Sequence, residues 1–154
     1  MPLAEYAYEK GKIDRGYNHR TLYVNVGDKV IREKPVDDRM RDLFIGGRGF
    51  DLWLLWNSLP HDRIVSWDDP LNEIVLASGP LGGTAVYPGS GKSIALGISP
   101  LTDQVVDSNV GGYFGPFLKF AGFDAIEVQG KAVRDVLVVI GTAQGIENFR
   151  KANT

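Results

Sequence analysis

The chain has no cysteine among its 154 residues. It cannot build disulfides, thiolate zinc centres or cysteine-ligated iron–sulfur clusters from its own side chains. Histidine is almost as scarce. His19 and His61 lie far apart in polar stretches, without a second ligand or carboxylate at a recognisable spacing, so both read as surface residues. No run of about 18 uncharged apolar residues occurs, and the first 18 positions lack the apolar core of a signal peptide; a cytoplasmic location is the expectation. An excess of charge is missing too. Seventeen basic residues stand against nineteen acidic ones, for a net charge of -2, which leaves no electrostatic reason for a nucleic-acid or membrane-surface partner.

Glycine, by contrast, is abundant, with 19 copies. It concentrates in Gly79-Pro80-Leu81-Gly82-Gly83-Thr84, in Pro88-Gly89-Ser90-Gly91-Lys92-Ser93 and in Ser108-Asn109-Val110-Gly111-Gly112-Tyr113-Phe114-Gly115. Glycine-dense loops beside short apolar runs imply main chain shaped around a ligand. With 44% hydrophobic residues the chain suffices for one domain with a real core.

Residues 1–19 are polar and without period, and read as an extension. Residues 21–26 and 29–33 predict a hairpin around Gly27-Asp28. Met40, Leu43 and Phe44 sit at helical spacing, and a second helix over residues 50–59 presents Leu52, Trp53, Leu55 and Trp56 before Pro60 closes it. Residues 73–78 read as a buried strand, and residues 92–99 and 104–106 as two more. Tyr113, Phe114, Phe117 and Phe120 recur on a short helix ended by Gly122 and read as core. Residues 123–129 and 135–140 predict a closing strand pair. The order lacks regular βαβ alternation, so the fold class is α+β with a largely antiparallel or mixed sheet. The domain spans residues 20–141, and residues 142–154 read as a tail or an unfinished connection.

Gly89-Ser90-Gly91-Lys92-Ser93 ends like a phosphate loop, but Val86 stands where the pattern needs glycine and a strand follows where it needs a helix. Nucleoside triphosphate binding is therefore set aside. Two readings of Lys92 stay open: an ammonium that completes an anion site of backbone N–H groups, or a solvated strand end. Arg48, in Gly46-Gly47-Arg48-Gly49, either meets a phosphate or carboxylate or lies in an interhelical turn. Asp68-Asp69 fits turn chemistry.

The three glycine segments, with Ser99-Pro100-Leu101-Thr102 and Leu118-Lys119-Phe120-Ala121-Gly122-Phe123-Asp124-Ala125-Ile126 before Gly130-Lys131-Ala132, resemble the amino-terminal domain of the tungsten-containing aldehyde:ferredoxin oxidoreductases. The likeness runs from about Arg20 to about Ile140. It implies a layered sheet-and-helix base domain, of which this chain covers about half to two-thirds, that cradles a tungsten-bispterin cofactor. It also implies a four-iron cluster held by cysteines outside this chain, aldehyde oxidation to carboxylic acid, and ferredoxin or another carrier as electron acceptor. The partner is the remainder of the oxidoreductase, and the isolated chain is expected to be inactive.

By the same resemblance, the family's glycine-glycine-arginine turn between pterin and cluster falls on Ser90, Gly91 and Lys92. Lysine keeps the charge of arginine and loses its bidentate fork. Asn109 matches the asparagine whose main-chain oxygen helps hold the magnesium ion joining the two pterin phosphates, and Gly111 lines that site; oxygen ligands suit magnesium. No catalytic residue is assigned to this chain. Alternatives are a related tungsten enzyme, such as one reducing aromatic acyl-CoA thioesters, and a non-catalytic structural or assembly subunit.

Overall fold

A computed structural model describes residues 2–141. Six strands form one mixed sheet: β1 (Arg20–Asn25), β2 (Val30–Pro35), β3 (Glu73–Ser78), β4 (Ser93–Ile98), β5 (Val105–Val110) and β6 (Ala125–Gln129). Their spatial order is β2-β1-β6-β3-β4-β5. Only β1 and β6 run parallel among neighbours, which places the chain's first and last strands side by side in the middle of the sheet. The helices are α1 (Asp38–Leu43), α2 (Arg48–Ser58) and α3 (Phe114–Ala121).

Side chains alternate across a strand, so each face of the sheet gathers its own core. Val75, Ala77, Leu96 and Ala125 meet Met40 of α1 and Phe50, Leu54 and Leu55 of α2. On the opposite face Leu22, Val24 and Ile126 meet Leu118 and Ala121 of α3 and the buried Phe123. Asp37 caps α1, its carboxylate accepting from the Arg39 N–H at 2.7 Å. Gly122, at φ +103°, ends α3 in the left-handed region that glycine enters without steric cost.

The hairpin, the helices and the strands around the glycine loops agree with the sequence expectations in kind and place. Three expectations are overturned in whole or in part. Residues 135–140 form no strand; Leu137 is 71% exposed, and only Ile140 packs against the α3-side core. Tyr113, Phe117 and Phe120 are at least half exposed and Phe114 is 38% exposed, so that aromatic stripe is surface. Leu118 and Ala121 are among the buried residues of that helix instead, packing with Leu22 and Val24 of β1 and Ile126 of β6. The buried face of α2 is also turned from the predicted one: Leu52 and Trp56 point outward while Phe50, Asp51, Leu54 and Leu55 point in.

A buried ion pair ties the extension to this frame. Lys119 of α3 and Asp124, just before β6, are both almost wholly buried, with Nζ and Oδ1 2.6 Å apart. The Asp124 carboxylate also accepts from the backbone N–H groups of Asn18, at 3.0 Å, and His19, at 2.8 Å. Lys119 in turn donates to the Gly16 carbonyl at 2.6 Å. Asn18 is buried, and His19 is half-buried against Arg41, so the inner end of the extension is docked. Replacing one member of a buried pair strands the other charge, at a typical cost of about 3–5 kcal/mol. Lys119→Met is accordingly expected to lower unfolding free energy by about that amount, read from urea denaturation; an unchanged midpoint refutes the pair as an anchor.

Candidate functional site

The glycine segments meet at one end of the sheet because of strand register. Ser93 and Val110 form the last rung between β4 and β5. The next residues outward are Lys92 and Gly111, then Gly91 and Gly112. A β-carbon on Gly91 would stand 2.5 Å from the Gly112 carbonyl oxygen, and one on Gly111 would stand 3.9 Å from the Lys92 Nζ. Glycine at position 91 is thus required by the close approach of the two main chains.

β3 ends at the same place. The Ser78 hydroxyl donates to the Lys92 carbonyl at 3.4 Å, and the loop that follows is closed by the Gly83 N–H on the Ser90 carbonyl at 3.0 Å. The loop between α1 and α2 also arrives there, with the Gly47 N–H on the Ser78 carbonyl at 3.3 Å. Between these loops lies a cleft of about 240 Å³, walled by Ile45, Pro80, Leu81 and Tyr87 and carrying Ser90 and Lys92. The amino end of α3 follows directly after Gly112, and Tyr113 gives it no side-chain cap.

Of the five residues singled out in the sequence, Ser90 and Lys92 line the cleft, Gly91 abuts Gly112, and Gly111 stands beside the Lys92 ammonium. Asn109 lies in edge strand β5 opposite Ile94 and two residues before Gly111. Among the described residues no carboxylate forms an ion pair with Lys92. The strand after Lys92 removes the phosphate-loop reading, which needs a helix there. Arg48 meets a carboxylate: its Nε and Nη2 both donate to Asp107 Oδ2, at 3.0 and 2.6 Å. Asp68 and Asp69 serve turns, with the Leu71 N–H on Asp69 at 2.9 Å and the Ser66 hydroxyl on Asp68 at 2.8 Å. Among the described residues no group of three histidine, aspartate or glutamate side chains is arranged to hold a metal ion.

Two buried carboxyls escaped the sequence reading. Asp51, in the first turn of α2, is fully buried with neither oxygen hydrogen-bonded. Burial, with a smaller contribution from the Asp107 carboxylate, pushes its pKa up to about 9. Glu73 opens β3 and is also fully buried and unpartnered; the nearby Ser58 hydroxyl is turned to the Leu55 carbonyl at 2.9 Å. Burial and then the neighbouring Glu127 raise the Glu73 pKa. Glu127 is satisfied by Thr21, at 2.6 Å, and by Lys34. An acidic residue beside helical apolar spacing carries no signal that it will be sealed inside.

The family model for the "Aldehyde ferredoxin oxidoreductase, N-terminal domain" matches residues 21–153. The chain belongs to this oxidoreductase family. The tungsten-containing aldehyde ferredoxin oxidoreductase of Pyrococcus horikoshii is 38% identical over 125 residues, which is 81% of this chain and 20% of that protein. The WOR-like subunit of the aliphatic sulfonate oxidoreductase of Pyrococcus furiosus is 34% identical over 129 residues, 80% of this chain and 20% of that one. Among solved structures, the active-site complex of a benzoyl coenzyme A reductase with bound dienoyl-CoA superposes with a TM-score of 0.77 at 27% identity, covering 90% of this chain and 23% of that one. The chain thus spans about a fifth of the length of the curated relatives it matches. The family's oxidoreductases share this α+β domain, and no described helix here is long and apolar enough to cross a membrane.

The raised carboxyl pKa values set the pH dependence of stability. Unfolded Asp51 ionises near 3.8 and folded Asp51 only near 9, so the folded state holds the extra proton between those values. Its contribution is fully present below about pH 4 and is lost as pH rises towards about 9; Glu73 acts with the same sign. Asp51→Asn and Glu73→Gln are each expected to flatten the decline of the urea midpoint across this window. A slope equal to that of the natural chain in both variants would count against these assignments.

Proposed function

We propose that this chain is the cofactor-cradling domain of a tungsten-bispterin oxidoreductase that oxidises aldehydes to carboxylic acids and passes electrons to a ferredoxin-type acceptor. The observation that carries this reading is the meeting of Ser90, Gly91 and Lys92 with Gly111 and the uncapped amino end of α3; Asn109, two residues before Gly111 on β5, is assigned to the same site. Backbone N–H groups of a glycine turn, a helix amino end and an unpaired ammonium form a donor set suited to phosphate oxygens. These donors fit the phosphates of a pterin cofactor. The Asn109 carbonyl oxygen adds a hard ligand of the kind magnesium takes beside phosphates.

The tungsten-pterin group supplies the two-electron redox chemistry when bound. Lys92 is assigned to the anion and Gly91 to the close main-chain approach. Ile45, Pro80 and Tyr87 are assigned to excluding water from the cleft. An iron–sulfur cluster takes its ligands from outside this chain, which has no cysteine to offer. The remainder of the oxidoreductase is therefore the partner, and this chain alone does not turn over.

The likeness to the benzoyl coenzyme A reductase complex supports a second reading, in which the same cradle serves a tungsten enzyme acting on an aromatic acyl-CoA. Both readings place cofactor binding here and substrate selection elsewhere.

Purification of the native complex tests the proposal. Tungsten, pterin and a larger cysteine-bearing polypeptide are expected to accompany the chain, and their joint absence refutes it. Aldehyde turnover at a normal enzymatic rate by the chain alone would also do so. Within the complex, Lys92→Gln removes a charged donor and is expected to weaken cofactor retention by about tenfold, with Lys92→Arg restoring it; tungsten content per protein is the readout.

A further inference from the structure

The turn of the N-terminal extension over residues 14–17 bears on two loops that line the cleft. Asp14 and Tyr17 exchange backbone hydrogen bonds of 2.9 Å, which fold the turn on itself. Inside it, Gly16 lies so close to the Pro80 loop that a β-carbon would stand 2.3 Å from the Pro80 carbonyl oxygen. Its φ of +85° is a second reason that the position is glycine. One residue on, the Tyr17 hydroxyl donates to the Ile45 carbonyl at 2.7 Å. Pro80 and Ile45 both line the cleft, and their loops meet where Gly46 abuts Gly79.

The turn is itself held from beneath. Lys119 donates to the Gly16 carbonyl, and its ammonium lies 5.5 Å from the centre of the Tyr17 ring. Asp124 fixes Lys119 and the next two backbone N–H groups, those of Asn18 and His19. The Tyr17 ring also stacks on Phe50 of α2, centroids 6.2 Å apart. The turn is thus held on α2 and α3 and touches two separate loops that line the cleft. All of it precedes residue 21, where the family match begins.

We infer that residues 14–17 act as a brace that fixes the two loops lining the cleft, with Tyr17 a positioning residue for whatever the cleft holds. The inference rests on the proposed cofactor reading only for the identity of the ligand. The brace itself is a property of the folded chain. Its link to the ligand runs from the Ile45 carbonyl into Gly46 and Gly47, whose N–H closes on Ser78, and from Pro80 into the amides of Gly82 and Gly83.

The test uses the full chain with two variants. Tyr17→Phe removes only the hydroxyl on Ile45. Tyr23→Phe removes a hydroxyl whose bond to the side-chain Oε1 of Gln129 has the same 2.7 Å length but lies away from the cleft. Hydrogen exchange is read at the Gly47, Gly82 and Gly83 amides, and affinity is measured for inorganic pyrophosphate with magnesium. Loss of one hydrogen bond makes about a fivefold change the natural scale. Tyr17→Phe is expected to speed exchange at those amides and weaken pyrophosphate binding by about that factor, while Tyr23→Phe leaves both at natural values.

Natural exchange rates at all three amides in Tyr17→Phe overturn the brace, as do equal effects from the two variants. If the natural chain binds no pyrophosphate, the anion-cradle reading fails on that arm. The exchange arm still decides the brace.

Discussion

The Asp124 carboxylate is the interaction on which the arrangement most depends. A charge removed from water must find both an opposite charge and enough hydrogen bonds to replace its hydration. Asp124 finds them in Lys119 and in the N–H groups of Asn18 and His19. Its own backbone meanwhile joins β1 to β3, donating to the Arg20 carbonyl at 2.9 Å and accepting from the Ser78 N–H at 3.3 Å. One residue thereby couples the extension, the two strands that flank β6, and α3. The geometry of the glycine loops follows from that coupling, since Ser78 begins the loop that walls the cleft and α3 begins where the cleft's other glycines end.

The site is built from strand ends, while the helices supply support. An antiparallel pair brings residues to opposite positions over its whole length, so the segments leaving its last rung are neighbours by necessity. Lys92 and Gly111 leave the Ser93–Val110 rung in this way. A cation is thereby brought beside glycine backbone by two short loops. The two edges of the sheet differ as well. β2 carries Arg32, Glu33, Lys34 and Pro35, residues that discourage further pairing, whereas β5 carries only Asp107 as a charge and that charge is occupied by Arg48.

Much of the fold was legible in the residues, and the failures have physical causes. Alternation and glycine punctuation marked the hairpin and strands β3 to β6, since these depend on local pattern and turn chemistry. The α3 aromatics misled because helical spacing shows that a face is apolar and says nothing of whether the sheet covers it. Leu118 and Ala121 were chosen by β1 and β6 instead. The run over residues 135–140 has strand composition but no ladder partner among the described residues, and β-propensity needs one. The glycine loops were legible as places of close main-chain approach, which glycine marks, and Gly91 does abut Gly112. Tyr17, Asp51 and Glu73 were not, since their roles come from residues distant in sequence.

The amino-acid sequence by itself determined the class of elements, the family, the positions where backbone must approach backbone, and the absence of any cysteine ligand. These follow from local sterics and composition, which act whatever the rest of the chain does. Tertiary structure alone decided which helix faces are covered, which carboxyls lose their water, and that the N-terminal turn reaches two loops that line the cleft. Burial and charge pairing depend on what lies within a few ångströms in space, and in this chain those neighbours are often separated by more than a hundred residues, as Asn18 and Asp124 are.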